Sequence, residues 1–293
     1  MTFLEEVKDE LLNIRIKNHC CMIAELQGVL MFGSVPYEGN VIFGTESFLL
    51  AKRVSSFLRK TCHINYPDRL SENAEGYKFL IPDDILTELS LKAENSVSFV
   101  GETELSACCI KAFVRGAFLV AGSLSNPEKS YRMEIFTENE EAANYLKAVL
   151  SVMGVDAKET KRKNLFVVYT NKSESVSDML KVTESSQAVF KILEARVLKD
   201  KRNETNRVIN CDMANADRAS ENSYRETQAI KFIEKTAGLD FLKPKLRQTA
   251  MMRLENEGAS LKELAALFDP PIPKSTLNNR LNKLIKIAEE LGE

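Results

Sequence analysis

The 293-residue sequence has only two histidines, His19 and His63, and its six cysteines include no Cys-x-x-Cys pair. It lacks any apolar run near the ~18 residues of a membrane-spanning helix, and its acidic start is unlike the basic start of a secretory signal. Dinucleotide-binding, phosphate-loop and Gly-x-Ser-x-Gly motifs are also missing. These absences predict a cytoplasmic protein with no membrane association, no cofactor and no catalytic residues.

Most of the cysteines fall in adjacent pairs, Cys20 with Cys21 and Cys108 with Cys109. In the cytosol they are expected to stay reduced. A metal site built from His19 and the first pair is one interpretation, but adjacent residues of a helix point in different directions. Small thiols buried in a core are the favoured interpretation, so the sequence predicts no metal site.

The net charge of −2 conceals an uneven distribution along the chain. Residues 1–157 carry 15 basic and 22 acidic residues, whereas residues 158–207 carry 12 basic and 7 acidic residues. Residues 222–293 carry 12 basic and 10 acidic residues. An acidic front half repels nucleic acid at long range, so the centre and the C-terminal part are the expected places of contact with a polyanion.

The end of the chain, from Ser260 onward, has the pattern of two helices joined by a proline-rich turn. Ser260 and Glu263 form the Ser-x-x-Glu arrangement that caps a helix, and apolar residues then recur at helical spacing from Leu261 to Phe268. The prolines of residues 269–273 end this helix, and Ser275 is the predicted N-cap of the next one. The predicted buried stripe of the second helix is Leu277, Leu281, Leu284, Ile285 and Ala288.

The opposite face of the second helix is basic and rich in amides, with no acidic residue between Pro270 and Ala288. Such a face suits the phosphates and base edges of a DNA major groove. Asn279 suits adenine and Arg280 suits guanine, although Arg280, at the edge of the face, is also placed to follow the phosphate backbone. Two packed helices without a ligand are the alternative interpretation. The predicted DNA-binding residues are Lys274, Ser275, Thr276, Asn278, Asn279, Arg280, Lys283 and Lys286.

The first two hundred residues contain one pattern twice. Each copy begins with paired cysteines, continues as an apolar helix and ends at Gly-Ser, in the segments Cys20–Ser34 and Cys108–Ser123. A duplicated α/β (α+β) unit with a pseudo-two-fold axis is therefore the predicted architecture. The corresponding strands are predicted at Val41–Thr45 and Tyr77–Ile81 and at Tyr131–Thr137 and Leu165–Tyr169, and the corresponding helices at Phe48–Lys60 and Glu140–Val152.

The helix that ends in Gly-Ser resembles the interface helix of LAGLIDADG homing endonucleases, in which small residues let two helices pack closely. Gly116, Gly122 and Ser123 carry the resemblance. In that family an acidic residue before the final glycine binds the catalytic metal. This sequence has Phe32 and Ala121 at those positions, and neither side chain offers the carboxylate oxygens that Mg²⁺ prefers. The resemblance thus implies a degenerate domain without nuclease chemistry.

A degenerate LAGLIDADG-like front joined to a C-terminal helix-turn-helix resembles the bacterial WhiA family. One departure is a residue missing before Gly33. The resemblance implies a transcription regulator of cell division and chromosome segregation, with a role in sporulation in some bacteria, that binds double-stranded DNA at promoters on the nucleoid. The matching segments are Phe3–Leu11, Cys20–Glu25, Arg115–Pro127, Asn206–Asn215, Leu261–Leu264 and Asp269–Ser275.

The predicted domains are residues 1–202 for the duplicated unit and residues 222–293 for the helix-turn-helix unit. Residues 203–221, rich in Asn, Asp, Ala and Arg and without an apolar stripe, are predicted to be a linker. The second domain is predicted to be all-α and to resemble region 4 of sigma factors. Its helices, and the one before the linker, are predicted at Gln187–Lys201, Glu221–Thr236 and Pro244–Glu257 and in the two helices described above.

Two other functions fit the sequence. One is a residual metal-dependent DNA endonuclease, and the other is a cell-division interaction protein that uses the N-terminal domain to bind a protein partner and binds DNA only secondarily. The basic run Lys158–Lys163 is predicted to be a hairpin tip that is either solvated or in contact with DNA.

Overall fold

The structure is a computed structural model that describes residues 1–64, 76–101 and 104–292. The chain divides into two compact units, Met1–Asp200 and Lys201–Glu293. None of the described helices has the length and apolar character needed to cross a membrane.

Helices and strands follow each other in the first unit in an order that repeats. The helices are α1 (Phe3–Leu12), α2 (His19–Gly33), α3 (Phe48–Thr61), α4 (Asp83–Glu88), α5 (Ala107–Ala121), α6 (Glu140–Val152), α7 (Ser173–Thr183) and the first part of α8, which begins at Ser186. The strands are β1 (Ser34–Tyr37), β2 (Asn40–Thr45), β3 (Tyr77–Ile81), β4 (Leu91–Ala93), β5 (Val97–Phe99), β6 (Gly122–Leu124), β7 (Met133–Thr137), β8 (Lys158–Arg162) and β9 (Leu165–Thr170).

Each half of the first unit has one main antiparallel sheet, and the strands of the two sheets are arranged in a similar order. The first half pairs its strands in the order β1-β2-β3 and the second in the order β6-β7-β9-β8, all antiparallel, while β4 and β5 form a separate two-stranded sheet. In β2, Val41 and Phe43 are buried and alternate with less buried neighbours. One continuous hydrophobic core joins these strands to α2 and α5. The predicted duplicated architecture is confirmed.

Helices α2 and α5 approach so closely that only glycine fits at their crossing. A Cβ atom at Gly28 would lie 2.2 Å from the carbonyl oxygen of Phe113, and one at Gly116 would lie 2.3 Å from the carbonyl oxygen of Glu25. The same number of residues separates Gly28 from Gly116 as separates Glu25 from Phe113, so the two contacts are equivalent positions of the repeat. The prediction that Gly116 serves close helix packing is confirmed.

A buried carboxylate lies beside this crossing. Glu25 is only 1% exposed and accepts hydrogen bonds from Arg115 Nε at 2.8 Å and from Arg53 Nη2 at 3.1 Å. Arg115 also donates to Glu184 at 2.6 Å, which places a second carboxylate in the network. Because two arginines already neutralise Glu25, its carboxylate is part of the packing and is not free to bind a metal.

The basic run Lys158–Lys163 was predicted to be a hairpin tip, and this is confirmed only for its last residue. Residues Lys158–Arg162 form the edge strand β8, and the turn follows at Lys163, whose φ is 53°. Arg162 pairs with Glu134 at 3.1 Å, and the Lys161 ammonium lies 4.6 Å from the centre of the Phe166 ring. Charged residues are common on edge strands because they discourage pairing with other chains, so a charge run does not by itself indicate a loop.

The second unit packs helices around a core of its own. It contains the rest of α8, which ends at Thr236, followed by α9 (Pro244–Glu255), α10 (Leu261–Ala266) and α11 (Lys274–Gly292). Helix α8 stops before Gly238, whose φ of 77° turns the chain and whose N–H donates to the carbonyl oxygen of Ile233 at 3.1 Å. The buried core is Ile230, Ile233, Leu242, Ala250, Leu264, Ala265, Phe268, Leu277, Leu281, Leu284 and Ala288.

Residues 203–221, predicted to be a linker, are helical in the structure. They lie within α8, a single helix over Ser186–Thr236 that replaces the two separate helices predicted there. An apolar stripe appears in a sequence only where one face of a helix is buried. Nearly every residue of this segment is exposed, so its helix has no such stripe. The sequence from residue 187 to residue 237 also contains no proline or glycine to interrupt it. The domain limits given above stay a prediction.

Candidate nucleic-acid interface

The first helix of the helix-turn-helix begins with the predicted cap. The Ser260 N–H donates to Glu263 Oε2 at 2.8 Å, and the Glu263 N–H donates to Ser260 Oγ at 3.3 Å. The bond from the Ser260 backbone, together with that hydroxyl, lowers the pKa of Glu263. Leu264, Ala265 and Phe268 are buried, which confirms the predicted inner face.

The second helix begins two residues earlier than expected, at Lys274 instead of Thr276, so the prediction that Ser275 is its N-cap is wrong. The backbone N–H groups of Thr276 and Leu277 donate to the carbonyl oxygen of Pro273 at 2.9 and 3.1 Å, and α11 starts at Lys274. Ser275 therefore lies in the first turn, with its side chain exposed. Pro273 precedes the first residue of α11, and its ring fixes its own φ angle.

We expect Ser260→Ala to lower the free energy of unfolding of the second unit by about 1 kcal/mol, because it removes a helix cap. Ser275→Ala is the matched control, since Ser275 caps nothing and its replacement should change stability by less than about 0.5 kcal/mol. Urea denaturation followed by circular dichroism measures both variants. Equal losses would contradict the cap assignment.

The buried face of α11 fixes which side chains point outward. Leu277, Leu281, Leu284 and Ala288 are buried as predicted. Ile285, the fifth predicted member, is only half-buried, and Ile287 packs against the core instead. Because a helix turns once every 3.6 residues, Ile285 and Ile287 lie on opposite flanks of the buried stripe, and only the flank with Ile287 contacts the core.

All eight predicted DNA-binding residues lie on α11 with their side chains at least partly accessible. Thr276 and Arg280 are half-buried, and the Arg280 guanidinium lies 5.9 Å from the centre of the Phe268 ring. The edge position predicted for Arg280 agrees with this contact. The other six side chains are exposed, namely Lys274, Ser275, Asn278, Asn279, Lys283 and Lys286.

Among the described residues, the cations of α11 have no acidic partner, unlike several other cations of the second unit. Lys231 pairs with Glu257 at 2.6 Å, and Arg247 pairs with Asp240 at 2.7 Å. Within the part of the chain that the structure describes, no carboxylate forms an ion pair with the basic residues of α11. Those residues are Lys274, Arg280, Lys283 and Lys286.

A buried ion pair fixes the segment that leads into the helix-turn-helix. Arg253 of α9 is 1% exposed, and its Nη2 lies 2.5 Å from Oε2 of Glu226 in α8. The same guanidinium donates to the carbonyl oxygen of Ala259 at 2.6 Å, one residue before the cap Ser260. The pair therefore connects α8 and α9 to the start of α10, and removing one partner would leave a buried charge without compensation.

Sequence reasoning missed two features. Asn282 is exposed on α11, one turn after Asn279, and was not included among the predicted residues, although its spacing of three places it beside that residue. The sulfur atoms of Cys20, Cys21, Cys108 and Cys109 all lie within 4.8 Å of one another, so the argument that adjacent cysteines diverge was wrong for these side chains. The repeat itself was the usable signal, because equivalent ends of two crossing helices meet at a pseudo-two-fold axis.

The chain is similar in fold to solved structures, among them these two. The full-length DUF199/WhiA protein from Thermatoga maritima is 24% identical, with a TM-score of 0.60 and 100% coverage of both chains. The N-terminal LAGLIDADG domain of DUF199/WhiA is 23% identical, with a TM-score of 0.50, and covers 62% of this chain and 92% of its own. The fold and the exposed helix define a class of protein in which a LAGLIDADG-like domain precedes a helical helix-turn-helix domain.

Sequence comparison identifies the family within that class. The family model for the WhiA LAGLIDADG-like domain matches residues 110–202, and the model for the WhiA C-terminal HTH domain matches residues 205–288. A probable cell division protein WhiA from Ruminiclostridium cellulolyticum is 33% identical over 99% of this chain and 98% of its own, and one from Geobacillus thermodenitrificans is 36% identical over 99% and 96%. The chain belongs to the WhiA family.

Proposed function

We propose that the protein binds double-stranded DNA through the outer face of α11 and acts as a non-catalytic transcription regulator. The unpaired cations and exposed amides of that face carry the proposal. In proteins of this class the second helix of the motif enters the major groove with its N-terminal residues toward the bases. Promoter regions are the proposed targets, and DNA binding would keep the protein on the nucleoid in the cytoplasm.

Different side chains of α11 suit different parts of DNA, namely the phosphates and the bases. Lys274, Lys283 and Lys286 carry compact charges that suit phosphate oxygens, and Ser275 and Thr276 offer hydroxyl groups near the start of the helix. Amides suit adenine, and the Arg280 guanidinium suits either guanine or a phosphate. The contact between Arg280 and Phe268 holds the guanidinium at the edge of the face, so both roles stay open for it. The amides are Asn278, Asn279 and the additional Asn282.

The salt dependence of binding tests the phosphate contacts. In Lys274→Ala/Lys283→Ala/Lys286→Ala, we expect the slope of log K against log salt to become shallower by about 3, since each phosphate contact releases roughly one counterion. Fluorescence anisotropy with duplex DNA at several KCl concentrations measures the slope. Lys231→Ala is the control, because Lys231 already pairs with Glu257. An unchanged slope in the triple variant would place the interface elsewhere.

The absence of catalysis is proposed from the ends of α2 and α5. Phe32 and Ala121 stand where a nuclease of the LAGLIDADG type needs carboxylates, and Glu25 is held by arginines. We expect plasmid DNA to stay intact in the presence of the protein and Mg²⁺ or Mn²⁺. Nicking that a chelator abolishes would instead support the residual endonuclease.

A role in cell division and chromosome segregation is proposed from the relatives that are named probable cell division protein WhiA. The alternative is a division-complex protein in which the first unit binds a protein partner and DNA binding is secondary. Partners captured by the full chain after nuclease treatment, and also by a variant that no longer binds DNA, would favour that alternative.

A further inference from the structure

Two helix ends bring four thiol groups together in the first unit. Cys20 and Cys21 lie in the first turn of α2, after its N-cap Asn18. Cys108 and Cys109 lie in the first turn of α5, after its N-cap Ser106. All four sulfur atoms lie within 4.8 Å of one another.

The spacing of the sulfur atoms fits a single metal ion. Zinc binds four thiolates tetrahedrally with Zn–S bonds of about 2.3 Å, which separates the sulfur atoms by roughly 3.8 Å. Distances up to 4.8 Å therefore close onto an ion after small side-chain rotations. A multi-iron cluster needs sulfide ions between its irons and would hold the four cysteine sulfurs further apart. Four thiolates also favour zinc over magnesium or calcium, which prefer oxygen ligands.

The two helix ends stabilise the charge of such a site. An α-helix carries about half a positive elementary charge at its N-terminus, and the first-turn N–H groups have no partner within the helix. Two N-termini therefore face the net negative charge that four thiolates and one divalent ion create. A helix N-terminus favours the thiolate form of a cysteine, against the effect of burial.

Burial divides the thiols into two inner and two outer ligands. Burial raises the pKa of Cys21 to about 12 and also raises the pKa of Cys109. A hydrogen bond with Ser106, whose hydroxyl oxygen lies 3.3 Å from the sulfur, lowers the pKa of Cys108. Coordination to a metal removes the proton from a thiol outright and so overcomes the cost of burying the inner pair. The exposed Cys20 and Cys108 leave the cluster open to an arriving ion.

We propose that Cys20, Cys21, Cys108 and Cys109 bind one Zn²⁺ ion, which joins the N-terminal ends of α2 and α5. The ion links the two halves of the repeat at the N-terminal end of the helix pair. The tight crossing at Gly28 and Gly116 lies further along the two helices and does not hold this end together. Cys62 and Cys211 lie outside the cluster.

Metal content of the full chain tests the proposal. After purification under reducing conditions with ZnSO₄ and gel filtration, we expect about one zinc ion per chain and a higher melting temperature than in the chelator-treated protein. Cys20→Ser/Cys108→Ser should lower the zinc content at least about tenfold, because two ligands cannot complete a tetrahedral site. Cys211→Ser, which removes an exposed cysteine outside the cluster, should keep one ion.

A second measurement needs no variant. Zinc should protect Cys20 and Cys108 from alkylation by iodoacetamide in the native protein, and a chelator should remove the protection. Cobalt added to the metal-free protein should give the visible bands and the thiolate charge-transfer band of a tetrahedral thiolate site. Failure to retain zinc, an unchanged zinc content in the double variant, or a disulfide between these cysteines in the reduced preparation would each overturn the proposal.

Discussion

Replacing Asn279 and Arg280 together by alanine should abolish the preference of the protein for its target sequence while weak binding to any duplex remains. A bidentate contact to a base contributes about 1–3 kcal/mol of discrimination, so the loss of two corresponds to a specificity ratio lower by roughly 30-fold to 10⁴-fold. The three α11 lysines remain and still supply the nonspecific affinity. If Arg280 follows the backbone, the single Arg280→Ala variant will weaken all duplexes equally, and Asn279→Ala will account for the lost preference.

A matched control keeps this result free of effects on folding. Arg247 and Gln248 are likewise an arginine beside an amide on a helix, both side chains are exposed, and Arg247 already pairs with Asp240. Arg247→Ala/Gln248→Ala should leave both affinity and sequence preference unchanged in gel-shift titrations with target and scrambled duplexes. Alanine is the best helix former, so neither double variant should lose helix content by circular dichroism. Equal preference in the Asn279/Arg280 variant and the wild type would contradict the assigned surface.

Adding one methyl group at Gly116 should destabilise the first unit by at least about 3 kcal/mol, at or above the usual cost of overpacking a core. The new Cβ would lie 2.3 Å from the carbonyl oxygen of Glu25 and 3.0 Å from the backbone nitrogen of Val29. Both atoms belong to the backbone of α2, so no side-chain rotation relieves the overlap and the two helices must separate. Their separation would also disturb the ion pairs between Glu25 and Arg115.

Gly44→Ala is the matched control for this prediction. Gly44 lies in β2, is exposed, and the nearest atom to its added Cβ is the carbonyl oxygen of Tyr77 at 4.0 Å. We expect its cost to stay below about 1 kcal/mol, the usual range for a substitution away from packed contacts. Urea denaturation of the full chain followed by circular dichroism compares the two variants, and similar losses would show that the helix crossing is not tightly packed.

The sequence predicted the elements that are half buried. In α3 and α6, and in β3 and β9, one face meets the core, so the apolar period reveals both the type of element and its limits. The repeat then supplied the architecture, since each half alone is too small to bury its helix. The LAGLIDADG-like fold was therefore predictable from pattern and resemblance together.

The wrong predictions fall where a sequence pattern does not have the structural meaning that it usually has. The helix across residues 203–221 is exposed on all sides and has no stripe to reveal it. The charged strand β8 was taken for a turn because charge is more common in turns. Pro273, not Ser275, provides the first carbonyl acceptor of α11. Which residue starts the helix depends on backbone angles that the sequence does not reveal.

The accessibility of the candidate interface was predictable because the buried stripe of α11 leaves only one outer face. The cysteine cluster was not, since its four members come together only when the two halves pack. The spacing of residues along a sequence predicts the ligands of a metal site only when all the ligands lie on one segment of the chain.

Site-specific photo-crosslinking tests the central claim that α11 faces DNA. A photoreactive amino acid at position 282, one turn beyond Asn279 on the outer face of α11, should crosslink to duplex DNA selected by the protein from chromosomal fragments. The same amino acid at position 224, where Tyr224 is 68% exposed on α8, should not crosslink. Crosslinking from position 224 and none from position 282 would contradict the account.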